Sequence, residues 1–157
     1  MIGVEETTEE IVNEMPTYNH SYICLEIIAQ ILPNRLFKPL PELTLNIGNG
    51  ITPDISVYPI ELAPKPDFFS DITRYDKMPP LAIEIISPSQ DIQDLLHKAQ
   101  LLIESGVKSV WTIEPFSRTV FVTNEKGNRL FHNKTVESEG ITVDFQKIFG
   151  GDLSLSA

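Results

Sequence analysis

Apolar positions recur along this chain with two periods, one near 3.6 residues and one of 2, and their succession lays out an order of elements. In TYNHSYICLEIIAQILP, residues 17–33, Tyr22, Ile23, Ile27, Ile31 and Leu32 fall mostly on one helical face, with Thr17 or Asn19 as the cap and Pro33 as the stop. ELTLNIGNGITPDISVY then alternates through Leu43, Leu45 and Ile47, passes Gly48-Asn49-Gly50 and alternates again through Ile55 and Val57, which predicts a β-hairpin. Residues 59–80 carry five prolines and read as an irregular excursion. LAIEIIS is the next strand, broken by Ser87-Pro88-Ser89 ahead of a helix over QDIQDLLHKAQLLIESG. That helix has one core-facing stripe, Ile92, Leu95, Leu96, Ala99, Leu102 and Ile103, and ends at Gly106. SVWTIEP predicts a short strand, RTVFVTNEKGNRLFH a hairpin turning at Asn124–Gly127, and the tail a brief alternating piece followed by an Ile148-Phe149 apolar plug. Helix, strands, helix, strands is the order of an α/β fold with one mixed central sheet flanked by helices. Residues 1–16 are acidic and end at Pro16; they read as a frayed segment or a short docking helix ahead of a single domain over 17–157.

At 157 residues the chain suits one domain with a real core and is too short for two comfortable ones. No apolar run approaches the roughly 20 residues that cross a bilayer, so no membrane association is expected. The acidic opening lacks the basic start and long apolar centre of a secretory signal, and a single cysteine, Cys24, excludes an internal disulfide; both predict a cytoplasmic protein. The formal charge of −10 argues against indiscriminate coating of nucleic acid, because neutralising phosphates needs clustered Lys and Arg, and the basic residues here are scattered. A metal-dependent hydrolase can still be acidic, since its carboxylates hold the cation that meets the phosphate.

The candidate chemistry begins with Glu84, a carboxylate inside a strand whose faces are both mainly apolar. An unpaired buried charge costs several kcal/mol, so Glu84 requires a partner. One option is a divalent cation shared with Asp54, which follows Pro53 at the start of the preceding strand; another is a salt bridge to Lys98 or Arg74. Asp54 can equally cap a turn. Lys98 lies at the border of its helix's apolar stripe, where a long stem can bury and the ammonium reach the sheet, or it can pair with Asp94 on the surface for about 0.3–0.5 kcal/mol. Glu26 reads as an ordinary polar-face residue or an accessory acid. His20, His97 and His132 are separated in the chain and read as surface residues. Ser87 and Ser89 read as helix caps rather than nucleophiles, and no G-x-x-x-x-G-K-[ST] motif is present to support nucleoside triphosphate hydrolysis.

Pro53-Asp54, a glutamate in a strand, Ser87-Pro88-Ser89, Asp94 and Lys98 on the following helix, then Gly106-Val107, Trp111 and Pro115 together resemble the Uma-type restriction endonuclease family within the PD-(D/E)XK nuclease superfamily. The resemblance runs from about Asn19 to the Ile148-Phe149 plug. It implies a restriction-endonuclease-like fold and Mg²⁺- or Mn²⁺-dependent hydrolysis of DNA by a homodimer. Asp54 and Glu84 would be metal ligands, the Ile85 carbonyl a third, and Asp54, Glu84 and Lys98 the catalytic set. The superfamily's usual lysine would stand two residues after the acid, where this chain has Ile86; in the Uma-type group it stands on the next helix, as Lys98 does. The alternative expectation is a catalytically silent relative serving as an oligomeric binding or accessory module.

Overall fold

The computed structural model describes residues 15–150, so the readings made for the acidic opening up to residue 14 and for the last seven residues lie outside it. Helix α1, Tyr18–Ile31, starts at Thr17, whose side chain accepts the His20 N–H. It buries Ile23, Ile27 and Ile31, a ridge at spacings of four, while Tyr22 is 47% and Leu32 55% exposed. Those two are corrections to the predicted face: Tyr22 is turned about 100° from the ridge, and Leu32 lies past the last turn.

The predicted first hairpin is also shifted. Strand β2, Ile55–Pro59, pairs antiparallel with β1, Phe37–Pro41, and not with residues 43–47. Leu45 makes only isolated bridges to Ile51 and Tyr75, yet it is fully buried among Ala82, Ala99, Leu102, Val107 and Val110. The alternation at 43–47 thus records a loop turned inward, with Leu45 enclosed and Leu43 and Ile47 packed partly buried beside it. The real partner is disguised by Pro39 and Pro41, which an edge strand tolerates because one side of it makes no ladder bonds.

Residues between β2 and β3 are irregular apart from a 3₁₀ turn at Ile60–Leu62, as Pro64, Pro66, Pro79 and Pro80 dictate. Strand β3, Leu81–Ile85, is buried throughout. Helix α2, Ile92–Glu104, buries Leu95, Ala99 and Leu102 from the predicted stripe. Its cap is Asp91, which accepts the Gln93 N–H, so the capping role expected of Ser87 and Ser89 falls to a residue nearer the helix. The helix closes on Gly106 at φ +113°, with the Val107 N–H donating back to the Leu102 carbonyl, a geometry that glycine adopts without strain.

Strand β4, Ser109–Glu114, returns parallel to β3, and the hairpin of β5, Thr119–Asn124, and β6, Gly127–His132, completes a six-stranded sheet in the order β1-β2-β3-β4-β5-β6. A second ribbon, β7, Thr135–Ser138, with β8, Ile141–Asp144, leads into the short helix α3, Phe145–Phe149. The fold is therefore a mixed α/β sheet flanked by helices. In the tail the fully buried plug is Phe145; Ile148 and Phe149 pack beside it only partly buried. The Trp111 indole meets the Phe145 ring edge-on and donates to Ser138 Oγ at 2.8 Å.

The sheet has two different faces. Leu81, Ile83 and Ile85 pack with Ile23, Ile27 and Ile31 of α1, whereas Ala82 and Val110 pack with Ala99 and Leu102 of α2. Gln30 fixes α1 to the β8 end through paired bonds with the backbone N–H and carbonyl of Asp144, at 2.8 and 2.9 Å. No helix among the described residues is long and apolar enough to cross a membrane. Because Ile27 is enclosed and Tyr22 is not, Ile27→Ala is expected to lower the unfolding free energy by about 2–5 kcal/mol and Tyr22→Ala by about 0.5 kcal/mol or less. Urea denaturation of both variants checks this; equal losses would place the buried ridge of α1 elsewhere.

Candidate functional site

Strands β2 and β3 are antiparallel, with Ile55 opposite Ile83 and Ser56 opposite Ala82, so one further step of the register sets Asp54 against Glu84. Two hydrogen bonds lock the pair crosswise. The Asp54 N–H donates to Glu84 Oε1 at 3.0 Å, and the Ile85 N–H donates to Asp54 Oδ2 at 2.7 Å. Each strand's backbone thereby holds the other strand's carboxylate, which fixes both without relying on flexible side chains.

Each flanking helix adds a basic group. Lys98 Nζ of α2 lies 3.1 Å from Glu84 Oε2, and His20 Nε2 of α1 lies 3.0 Å from Asp54 Oδ2. The two helices cover opposite faces of the sheet, so the carboxylate pair sits between a base reaching from each side. Glu84 is only 4% exposed. Its burial pushes the carboxyl up to about 7, against the opposing pull of the Lys98 charge and with an upward push from Asp54. His20 is raised to about 10, first by its hydrogen bond to Asp54 and next by that to Cys24, whose Sγ is 3.9 Å from Nδ1. The imidazole is therefore cationic at neutral pH.

The residues singled out from the sequence separate clearly. Asp54, Glu84 and Lys98 converge, and Ile85 joins them through its amide. Arg74 does not: its guanidinium donates to the Gly48 carbonyl. Glu26 is half-buried on α1 and makes no hydrogen bond or ion pair with these residues, while His97 and His132 are exposed. His20, expected at the surface, is a correction: it is half-buried against Asp54. The signal for it was present, since position 20 continues the 23, 27, 31 ridge one turn earlier and so faces the sheet.

The surroundings of Glu84 are polar on one side. Thr112 is its register partner on β4, and Ser56 lies on the same sheet face beside Ala82; both hydroxyls are buried without a hydrogen-bond partner among the described residues. Asp54 Oδ1 likewise accepts no hydrogen bond there, in contrast to Oδ2. No group of three or more His, Cys, Asp or Glu side chains among the described residues is arranged to hold a metal ion. The available ligands are thus two carboxylates supplemented by backbone or water. Such a set fits Mg²⁺ or Mn²⁺, which take hard oxygen donors and retain several waters.

The raised Glu84 carboxyl has a consequence for stability whose sign is opposite to that of an ordinary paired acid. With a pKa of about 7 when folded and 4.5 as its unperturbed value, the folded protein binds more protons between these limits. Its contribution is fully present below about pH 4.5 and is lost as pH rises through 7. In metal-free protein, the stability of wild type relative to Glu84→Gln should decline across that window, as read by denaturant unfolding at several pH values. A flat difference would mean that Glu84 is not held in a desolvated site.

The model of the Uma2 family, described as "putative restriction endonuclease", matches residues 3–157. No curated protein matches. A crystal structure described as a "putative nuclease belonging to DUF820" from Anabaena variabilis superposes with a TM-score of 0.71 at 24% identity, covering 86% of this chain and 82% of the other. A cryo-electron-microscopy structure of a DrdV–DNA complex matches at a TM-score of 0.43 and 11% identity, over 67% of this chain and 9% of the other. With the family model spanning nearly its whole length, the chain belongs to the Uma2 family of restriction-endonuclease-like proteins.

Proposed function

We propose that the protein is a divalent-metal-dependent nuclease that hydrolyses DNA phosphodiester bonds. Asp54 and Glu84 would be its metal-holding carboxylates, with the Ile85 carbonyl a further oxygen donor and Lys98 the amine at the reacting centre. The observation that carries this reading is the crosswise lock of Asp54 and Glu84 with Lys98 at 3.1 Å, because two carboxylates held together at adjacent strand ends repel each other unless cations join them.

A bound Mg²⁺ would polarise the phosphoryl oxygens and lower the pKa of an attacking water. The remaining work falls to side chains of this chain. Ala82 shares the β3 face of Glu84, and α2 covers that face, so Lys98 reaches Glu84 from the helix above it. Its ammonium can orient the water or offset negative charge developing on the phosphoryl group. Water oxygen attacks phosphorus and gives up a proton, the P–O bond to the leaving sugar oxygen breaks, and that oxygen takes up a proton, so the elements of one water are divided between the two products. His20 holds Asp54 Oδ2 from the other face and leaves Oδ1 for the cation. Two copies of the chain acting together would cut both strands of a duplex.

A second reading has its own support. His20 and Lys98 already balance both carboxylates, so the four groups can serve as a structural clamp in a catalytically silent binding or accessory module. The readings separate under metal. A nuclease is expected to gain thermal stability with Mn²⁺ or Mg²⁺, by about 2.7 kcal/mol at a hundredfold excess over Kd, and Glu84→Ala should abolish the gain. Lys98→Ala should keep the metal response but lower the cleavage rate of circular and single-stranded DNA by about 10²–10³. If wild type shows neither metal stabilisation nor cleavage, the structural clamp is the correct account.

A further inference from the structure

We propose that the cleft at the carboxyl ends of β3 and β4 receives an unpaired nucleobase of the nucleic-acid strand, stacked on Phe116; the identity of that strand rests on the nuclease reading. The cleft measures about 440 Å³ and is walled by the first turn of α1, the loop from β3 to α2 and the turn from β4 to β5. The pair β3 and β4 is the parallel one, joined through α2. In an open sheet the crevice outside the carboxyl ends of such strands is where ligands lodge.

The walls describe the occupant. Phe116 is 97% exposed and lines the cleft together with Pro115 and Pro88, an apolar ring and two apolar flanks left to water. No Lys or Arg lines the cleft, its one cationic group, His20, is already paired with Asp54, and Glu114 adds an acidic wall, so a phosphate is a poor occupant and an uncharged flat ring a good one. Amide groups for the edge of such a ring are at hand. Gln90 Oε1 is taken by the Ser87 N–H at 2.9 Å, which leaves its NH₂ as donor, and the Asn19 side chain makes no hydrogen bond among the described residues. A base offers a π face and a hydrogen-bonding edge together, but only when it is not paired with another strand.

Continuity with the carboxylates makes the base part of a strand. His20 lines this cleft and is 3.0 Å from Asp54 Oδ2. The cleft and the carboxylate pair thus share His20 as a common wall, and a strand whose phosphate met a cation at Asp54 and Glu84 would pass the cleft mouth. The acidic chain gains from this division: stacking supplies attraction that its scattered basic residues do not.

The test uses single-stranded oligonucleotides carrying 2-aminopurine, with EDTA present so that no step depends on metal. Wild type should quench the fluorescent base on binding, Phe116→Ala should weaken binding about tenfold, and Phe116→Trp should restore it. The loss in Phe116→Ala should be the same at low and high salt, because the side chain removed carries no charge. Fully paired duplex should bind more weakly than single strand. Unchanged affinity in Phe116→Ala, or no change in base fluorescence, would overturn the proposal. Equally tight binding of free 2-aminopurine nucleotide would also overturn it, by showing a nucleotide pocket instead of a strand subsite. If wild type binds and quenches but never cleaves with Mn²⁺, the nuclease reading fails while the cleft assignment stands; if cleavage proceeds with an unchanged KM in Phe116→Ala, the cleft assignment fails while the nuclease reading stands.

Discussion

A carboxylate buried inside a sheet organises this molecule. Glu84 is almost entirely removed from water, and a group in that position must be neutralised or bonded on every side. The fold supplies both. The Asp54 N–H and the Lys98 ammonium occupy one oxygen each, and the Thr112 hydroxyl stands on the neighbouring strand. Meeting those requirements dictates that β2 run antiparallel beside β3 in one register, and that α2 present Lys98, fourteen residues after Glu84, toward the sheet. A slip of one residue would turn Glu84 to the α1 face, among Ile23, Ile27 and Ile31.

The same constraint ties the two helical layers together. Lys98 comes from the layer over one face and His20 from the layer over the other, and they meet the sheet at the carboxylates. Apolar ridges turn each helix toward the sheet, Gln30 anchors α1 at the β8 end, and the ion pairs join each helix to the carboxylates. A cation entering between Asp54 and Glu84 would therefore be felt in both layers. Local charge and global packing are coupled at this one point, where Asp54, Glu84, His20 and Lys98 meet at a sheet end.

Much of this was legible in the residues themselves. Glu84 announced itself as a charge in an apolar strand, and Lys98 as a long side chain on the border of a stripe; both inferences rest on periodicity, which a buried strand and an amphipathic helix write plainly. The first strand pair was misplaced because Pro39 and Pro41 make an edge strand look like a loop, while Leu45 makes a loop look like a strand. His20 was missed for a related reason. A polar residue at the opening turn of a helix resembles a surface group until the ridge of Ile23, Ile27 and Ile31 is continued back through it. Local pattern tells which face a residue takes; it does not tell which distant backbone or side chain waits there.

Anomalous diffraction from crystals soaked in Mn²⁺ tests the central claim most directly. The account predicts a manganese peak at the Asp54 and Glu84 carboxylates, bonded to an oxygen of each, and its disappearance in Glu84→Gln crystals. A map in which both carboxylates keep only His20 and Lys98 as partners, with manganese elsewhere or nowhere, would contradict it.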